Sequence, residues 1–251
     1  MILEDRTGGV VTLTFNDPKR RNAFSMELRL DLLERLRRLE PDPTIRVIVL
    51  TGGAEVFCVG GDISAMGRQA IGPALERLRV VHEICRLVLQ SGKPYIAAVE
   101  GWAVGGGLSL ALLCDTIVAA ASARFKAPFG DLGVVGDIGI MHTLPARVGV
   151  ARAKQILFYG ETISAPDALA CGLVDHVVDT GQAGAEAARR AALLEARAPL
   201  PFGLTKSILN KGLDDLLARE REVQAMLLGS ADHEEGKSAF FDKRRPNFAG
   251  Q

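Results

Sequence analysis

Two glycine-bearing segments are where this sequence could do chemistry. The first is Phe57-Cys58-Val59-Gly60-Gly61-Asp62-Ile63. The second is Gly101-Trp102-Ala103-Val104-Gly105-Gly106-Gly107-Leu108-Ser109. Each follows an apolar run, Val47–Thr51 or Tyr95–Val99, and each leads into a segment that reads as a helix. Glycine there lets a ligand approach the main chain closely and frees φ for a tight turn. A helix start also presents N–H groups with no partner one turn back. Two such donors aimed at one point stabilise negative charge developing on a carbonyl oxygen. Either segment alone also fits an ordinary strand-to-helix junction. A dinucleotide site would need the spacing Gly-x-Gly-x-x-Gly, which is absent.

The elements that must position these turns follow from hydrophobic pattern. Val10–Phe15 alternates like a half-buried strand. Val47–Thr51, Tyr95–Val99 and Thr116–Ala120 read as buried strands. Ser25 can cap a helix whose Leu28, Leu32, Leu36 and Leu39 share one face, with Pro41 and Pro43 beyond its end. A second amphipathic helix is expected from Pro73 to Gln90, and a short apolar one from Leu108. Strands alternating with helices place the chain in the α/β class. No strand pattern appears after Ala183. Helical stretches are expected around Thr205–Lys211, Asp214–Leu228 and Asp232–Phe241, so we divide the chain into a core, 1–195, and a C-terminal helical region, 196–251.

Composition narrows the classes. The chain has 251 residues, 48% of them apolar, and Lys+Arg equals Asp+Glu at 30 each. Zero net charge gives no general attraction for nucleic acid. The basic clusters Lys19-Arg20-Arg21 and Lys243-Arg244-Arg245 read as solvated surface. Cys58, Cys85, Cys114 and Cys171 lack metal-ligand spacing and are expected to be reduced thiols. The first residues lack a signal-peptide pattern, and the apolar region 103–121 is interrupted by glycines and Asp115, so a cytoplasmic protein without a membrane span is expected.

Taken together, the two glycine segments resemble the signature segments of the enoyl-CoA hydratase/isomerase (crotonase) superfamily. The resemblance extends through Pro18-Lys19-Arg20-Arg21-Asn22-Ala23, through Gly133 to Asp137 with Leu144-Pro145 and Gly149, through Ala165 to Leu173 with Val177-Val178, and through Ser238 to Phe248. It implies a spiral of strand–strand–helix (ββα) repeats and C-terminal helices that pack a homotrimer or a dimer of trimers. It implies an acyl-CoA substrate, with coenzyme A part of the substrate and no separate cofactor or metal. The N–H groups of Val59 and Gly106 should form the oxyanion hole. Lys19, Arg20, Arg21 and Ala23, with Gly60, Asp62, Ile63, Gly105 and Phe129, should line the coenzyme A and acyl site. Lys243 should reach a neighbouring subunit's nucleotide, and Asp62 should cap the following helix. Acyl contacts are expected from loops and from the 64–80 segment.

The chain departs from the hydratases it resembles. Those enzymes carry two glutamates that position one water, and the matching positions here are Ser109 and Phe129, neither of which can act as acid or base for water addition. The remaining carboxylate is Asp137, in Gly136-Asp137-Ile138-Gly139 ahead of a helix. Aspartate before a helix also fits an N-cap. A similar aspartate is base or nucleophile in dienoyl-CoA isomerases, phenylacetate-pathway isomerases and halobenzoyl-CoA dehalogenases, and the phenylacetate-type isomerases match best. The expectation is an isomerase in which Asp137 moves a proton while Val59 and Gly106 hold the enolate. Three other readings stay open. They are a weak hydratase using Asp137 to place water, a dehalogenase-like hydrolase using His82 and Asp137, and a non-catalytic or RNA-binding member. Trp102 reads as packing, and Glu100 fits either the core or a subunit contact.

Overall fold

The buried runs become the middle of a parallel sheet. The computed structural model describes residues 1–66 and 71–251. Strands β1 (Ile2–Thr7), β2 (Val10–Phe15), β3 (Val47–Thr51), β4 (Tyr95–Val99), β6 (Thr116–Ala120) and β9 (His176–Val178) form one sheet in the order β1-β2-β3-β4-β6-β9. Among the described residues of this sheet only the β1–β2 pair is antiparallel. A second sheet joins β5 (Trp102–Val104), β7 (Arg124–Lys126) and β8 (Ile163–Ser164). The ββα repeat is visible in β4, β5 and helix α3 (Gly106–Leu113), then in β6, β7 and α4 (Ile140–Tyr159). In the repeat that runs from β3 to α2 (Ile71–Leu89), the second strand is reduced to Cys58, bridged to Ala103.

Both faces of the larger sheet are covered, which is why its central strands carry no polar alternation. On one face Val47, Val49, Ile96, Ala98 and Val118 pack against Ala183, Ala187 and Ala191 of α6 (Ala183–Glu195). On the other, Ile48, Leu50, Ala97 and Val99 meet α2, α3 and α1 (Met26–Leu39). Ser25 caps α1 as expected, its hydroxyl accepting from Leu28 N at 3.3 Å. Glu100 turns inward and accepts from Ala183 N at 3.0 Å and Gly181 N at 3.2 Å, which ties the start of α6 to the sheet.

Several elements lay below what periodicity can register. Strand β1 buries only Ile2, and β5, β7, β8 and β9 have two or three residues each, too few to set a period. The second helix runs Ile71–Leu89, starting two residues ahead of the expected Pro73. The C-terminal helices are α7 (Leu200–Leu209), α8 (Leu213–Leu227) and α9 (Ala231–Asp242), following the short α5 (Ala165–Ala170) and α6. Helix α8 packs against α2 and α4, and α9 against the turn Gly130–Leu132. No helix among the described residues is long and apolar enough to cross a membrane.

The junction between the two glycine segments tolerates no side chain at Gly107. A Cβ there would stand 2.1 Å from the Cys58 carbonyl oxygen, a main-chain atom that cannot move aside. Gly107→Ala is expected to cost about 3 kcal/mol or more by urea unfolding, the range of severe overpacking. Gly184→Ala, at an exposed position of α6 with open space around it, should be neutral or add about 0.5–1 kcal/mol. Equal midpoints for the two variants would contradict this account.

Candidate active site

The two glycine segments are locked together by main-chain hydrogen bonds. Cys58 N donates to Trp102 O at 3.0 Å, Val104 N donates to Cys58 O at 3.0 Å, and Phe57 N donates to Glu100 O at 2.9 Å. Gly60 adopts φ +92°, and a Cβ on it would meet Val104 O at 2.6 Å, so only glycine passes there. Gly106 is the first residue of α3, and its N–H therefore has no acceptor one turn back. Among the described residues no intrachain acceptor takes the N–H of Val59 either. Both residues line one cavity of about 730 Å³.

The 17–23 loop is clamped to the first segment by Asn22. Its side-chain amide donates to Val56 O at 2.9 Å and Gly52 O at 3.1 Å, and its carbonyl accepts from Asp17 N at 2.9 Å. Arg21 and Asn22 both hold left-handed φ angles, +52° and +55°, which swings the loop over the cavity mouth. Arg20, Arg21 and Ala23 line the cavity there. Asp62 caps the short turn Ile63–Ala65 by accepting from Ser64 N at 3.0 Å, and Asp62 and Ile63 also line the cavity.

Asp137 faces the same space. It is not a helix cap, because α4 begins at Ile140 with Gly139 in the cap position. Its carboxylate accepts from Gln224 Nε2 at 3.4 Å and lines the cavity, half-buried. Burial pushes its pKa up to about 6, and the nearby Glu220 carboxylate adds to that, while Arg29, Arg77 and His82 pull the other way. The turn bearing it is strained: Ile138, a β-branched residue, holds φ +60°. Helix α8 grips that turn. Glu220 accepts from Gly139 N at 3.0 Å, and Gln224 accepts from Val135 N at 3.2 Å while donating to Asp137. Such over-determination is what lets a strained backbone persist.

Of the other expected residues, Gly60, Gly105 and Phe129 line the cavity, and so does Trp102. Four are elsewhere. Ser109 is fully buried in α3, its hydroxyl donating to Gly105 O at 3.3 Å. His82 faces α8, not the cavity; its Nε2 lies 2.9 Å from Glu220 Oε1 in a pair that is almost wholly enclosed. Lys19 and Lys243 are exposed and off the cavity wall. Part of the 64–80 segment expected at the acyl site, residues 67–70, lies outside the described residues.

Sequence reasoning missed Arg29, Glu220 and Gln224. Each had a signal. Arg29 sits on the apolar stripe of α1 with Leu32, Leu33 and Leu36, and is buried with them. Leu213, Leu217, Glu220 and Gln224 follow the 4-3-4 spacing of one buried helix face, where the last two should be apolar. A polar residue at a core position marks either a buried network or a site.

Comparison with known proteins gives the family and the fold. The sequence pattern of the enoyl-CoA hydratase/isomerase family matches residues 5–251. The chain is 37% identical over 258 residues to 1,2-epoxyphenylacetyl-CoA isomerase of Escherichia coli, covering 100% of this chain and 98% of that one. It is 32% identical over 252 residues to crotonyl-CoA hydratase of Syntrophomonas wolfei, covering 98% and 97%. A crystal structure of an enoyl-CoA hydratase from Mycobacterium avium subsp. paratuberculosis superposes with a TM-score of 0.89 at 30% identity, covering 99% of this chain and 98% of that one. A matched pattern over nearly every residue, a shared fold and two interlocked turns with free amides at one cavity together establish that this chain belongs to the enoyl-CoA hydratase/isomerase family.

Proposed function

We propose that the protein is an enoyl-CoA isomerase that moves a double bond, or rearranges a ring, in an acyl-CoA thioester with a single aspartate. The observation that carries this reading is Asp137 lining the cavity that the free amides of Val59 and Gly106 also line. The other carboxylates among the described lining residues are Asp62, held in its cap, and Asp131, exposed beside Lys126. On the family resemblance, Ser109 and Phe129 occupy the positions that hold the paired glutamates of hydratases. The two amides would hold the thioester oxygen as charge develops on it, each donor contributing roughly 100- to 1000-fold in rate. Asp137 would take a proton from the acyl chain and return it elsewhere along the conjugated system. A carboxyl titrating near 6 suits both halves of that transfer. The likeness to 1,2-epoxyphenylacetyl-CoA isomerase supports this chemistry. Crotonyl-CoA hydratase among the relatives keeps a second reading in view, in which Asp137 places a water.

We extend the proposal to a homotrimer or dimer of trimers. Leu200, Leu204, Ile208 and Leu209 of α7 are each more than 60% exposed, an apolar surface of the kind that subunit contact covers. Lys243 would then be free to reach a neighbour's nucleotide. Light scattering at three or six times the chain mass is the expected result, and a monomer would exclude it.

The chemistry is tested with 3-enoyl-CoA and crotonyl-CoA esters. The 3-enoyl ester should gain conjugated absorbance, and crotonyl-CoA should lose it slowly. Rapid hydration of crotonyl-CoA would sink the isomerase reading. Asp137→Asn should lower kcat by roughly 100- to 10,000-fold, and equal turnover would remove Asp137 from the mechanism. In the wild type, kcat/KM should fall below about pH 6 as Asp137 gains its proton. Glu220→Gln deletes a charge that raises Asp137, so this limb should move to lower pH; an unmoved limb would dissociate Glu220 from it.

Stability gives an independent reading of the same group. A folded-state pKa of about 6 lies above the roughly 3.9 of a free aspartate, so ionisation costs the folded protein stability as pH rises between those values. Asp137→Asn should therefore unfold at higher urea than wild type at pH 8, by about 1–3 kcal/mol, with the gap closing below pH 4. A variant less stable at pH 8 would show that the carboxylate holds the fold together.

A further inference from the structure

The cavity wall carries a cation that the isomerisation does not use. Arg29 enters it from α1 and is 4% exposed. Its Nε donates to Phe24 O at 2.9 Å, and its guanidinium lies over the Phe24 ring at 5.1 Å from the centroid. Burial, reinforced by the neighbouring Arg77, lowers it to about 10, so it stays charged at neutral pH. No carboxylate among the described residues stands within 4 Å of it. The charges that act on Arg29 and Arg77 are Asp137 and Asp62. Asp62 is engaged by its Ser64 cap and lies 3.8 Å from Arg20. Asp137 loses its charge whenever it holds the proton it is transferring. Cys58 is a buried thiol pushed up to about 12 and stays neutral.

Arg29 thus puts a positive charge on the cavity wall with no carboxylate among the described residues within 4 Å, and the attraction of Asp137 for it is lost at the step where Asp137 is protonated. A buried guanidinium with no ion partner is costly, and a planar two-oxygen anion satisfies it best. The phosphates of coenzyme A have exposed cations for them at the mouth, Arg20 and Arg21. An aromatic or alkyl acyl group would leave Arg29 as it is. We propose that Arg29 selects acyl-CoA thioesters whose acyl chain bears a free carboxylate, that is, monothioesters of dicarboxylic acids. This rests on the reading of the cavity as an acyl-CoA site and makes Arg29 a specificity determinant.

The test compares binding of two saturated, unreactive esters of equal length, adipyl-CoA and hexanoyl-CoA, to the wild-type protein, Arg29→Met and Arg29→Lys. The wild type should bind the carboxylate-ended ester about 30-fold or more tightly than the methyl-ended one. In Arg29→Met the ratio should fall to near one, and Arg29→Lys should lie between. Equal or reversed affinities in the wild type, tighter binding of phenylacetyl-CoA than of adipyl-CoA, or an unchanged ratio in Arg29→Met would overturn the proposal. Should Arg29→Met fail to fold, the wild-type ratio and Arg29→Lys decide. Turnover of the matching 3-enoyl esters is scored separately. A carboxylate preference in binding without isomerisation would retain this inference and remove the proposed chemistry. Isomerisation without any preference would do the reverse.

Discussion

The contact on which the rest of this structure depends is main chain against main chain. Cys58 and β5 exchange two 3.0 Å hydrogen bonds, Cys58 N to Trp102 O and Val104 N to Cys58 O, where the two glycine segments touch. A side chain at Gly60 or Gly107 would push them apart. In the proposed mechanism the lock matters because an oxyanion hole works only when its donors are already in place, with no reorganisation left to occur as charge develops. The surrounding layers serve that junction. The parallel sheet brings β3 and β4 side by side, so the turns that follow them emerge together, and Asn22 and Glu100 tie the flanking loops to the same frame.

A second constraint comes from the far end of the chain. Glu220 and Gln224 reach from α8 to the turn around Asp137 and hold it at three points: Val135 N, the Asp137 carboxylate and Gly139 N. The strained Ile138 sits between those anchors, with its side-chain tip against Gly106. The C-terminal helices therefore help to hold the Asp137 carboxylate toward the cavity. His82, enclosed beside Glu220, belongs to that support.

Electrostatics at the cavity are a balance of groups that would each be unfavourable alone. Burial and Glu220 resist the ionisation of Asp137, while Arg29 and Arg77 favour it. Both guanidiniums are in turn penalised by burial, and Arg29 also by Arg77. Such tuning raises the Asp137 carboxyl toward neutrality and leaves Arg29 charged on the same cavity wall, at a cost in stability typical of sites built for chemistry.

Strands β2, β3, β4 and β6, the cap and face of the first helix, and the helical C-terminus were readable because each shows a period, an apolar run or a start signal, whereas the equally long β1 buries only Ile2 and shows none. The two glycine segments and Asp137 were readable as types and spacings. Elements of two or three residues such as β5 and β8 were not, since two residues cannot alternate measurably and such strands exist only because a neighbour completes their hydrogen bonds. What lies beside what across the chain was likewise decided in three dimensions. Glu220 is 81 residues from the Gly139 amide it accepts from, and no local pattern links them. His82 faces α8 because the α1 and α8 packing of α2 sets its rotation. Sequence determined which turns and which carboxylate this protein can offer to the proposed chemistry; tertiary packing decided which of them share a cavity, because burial and charge at a point come from everything folded around it.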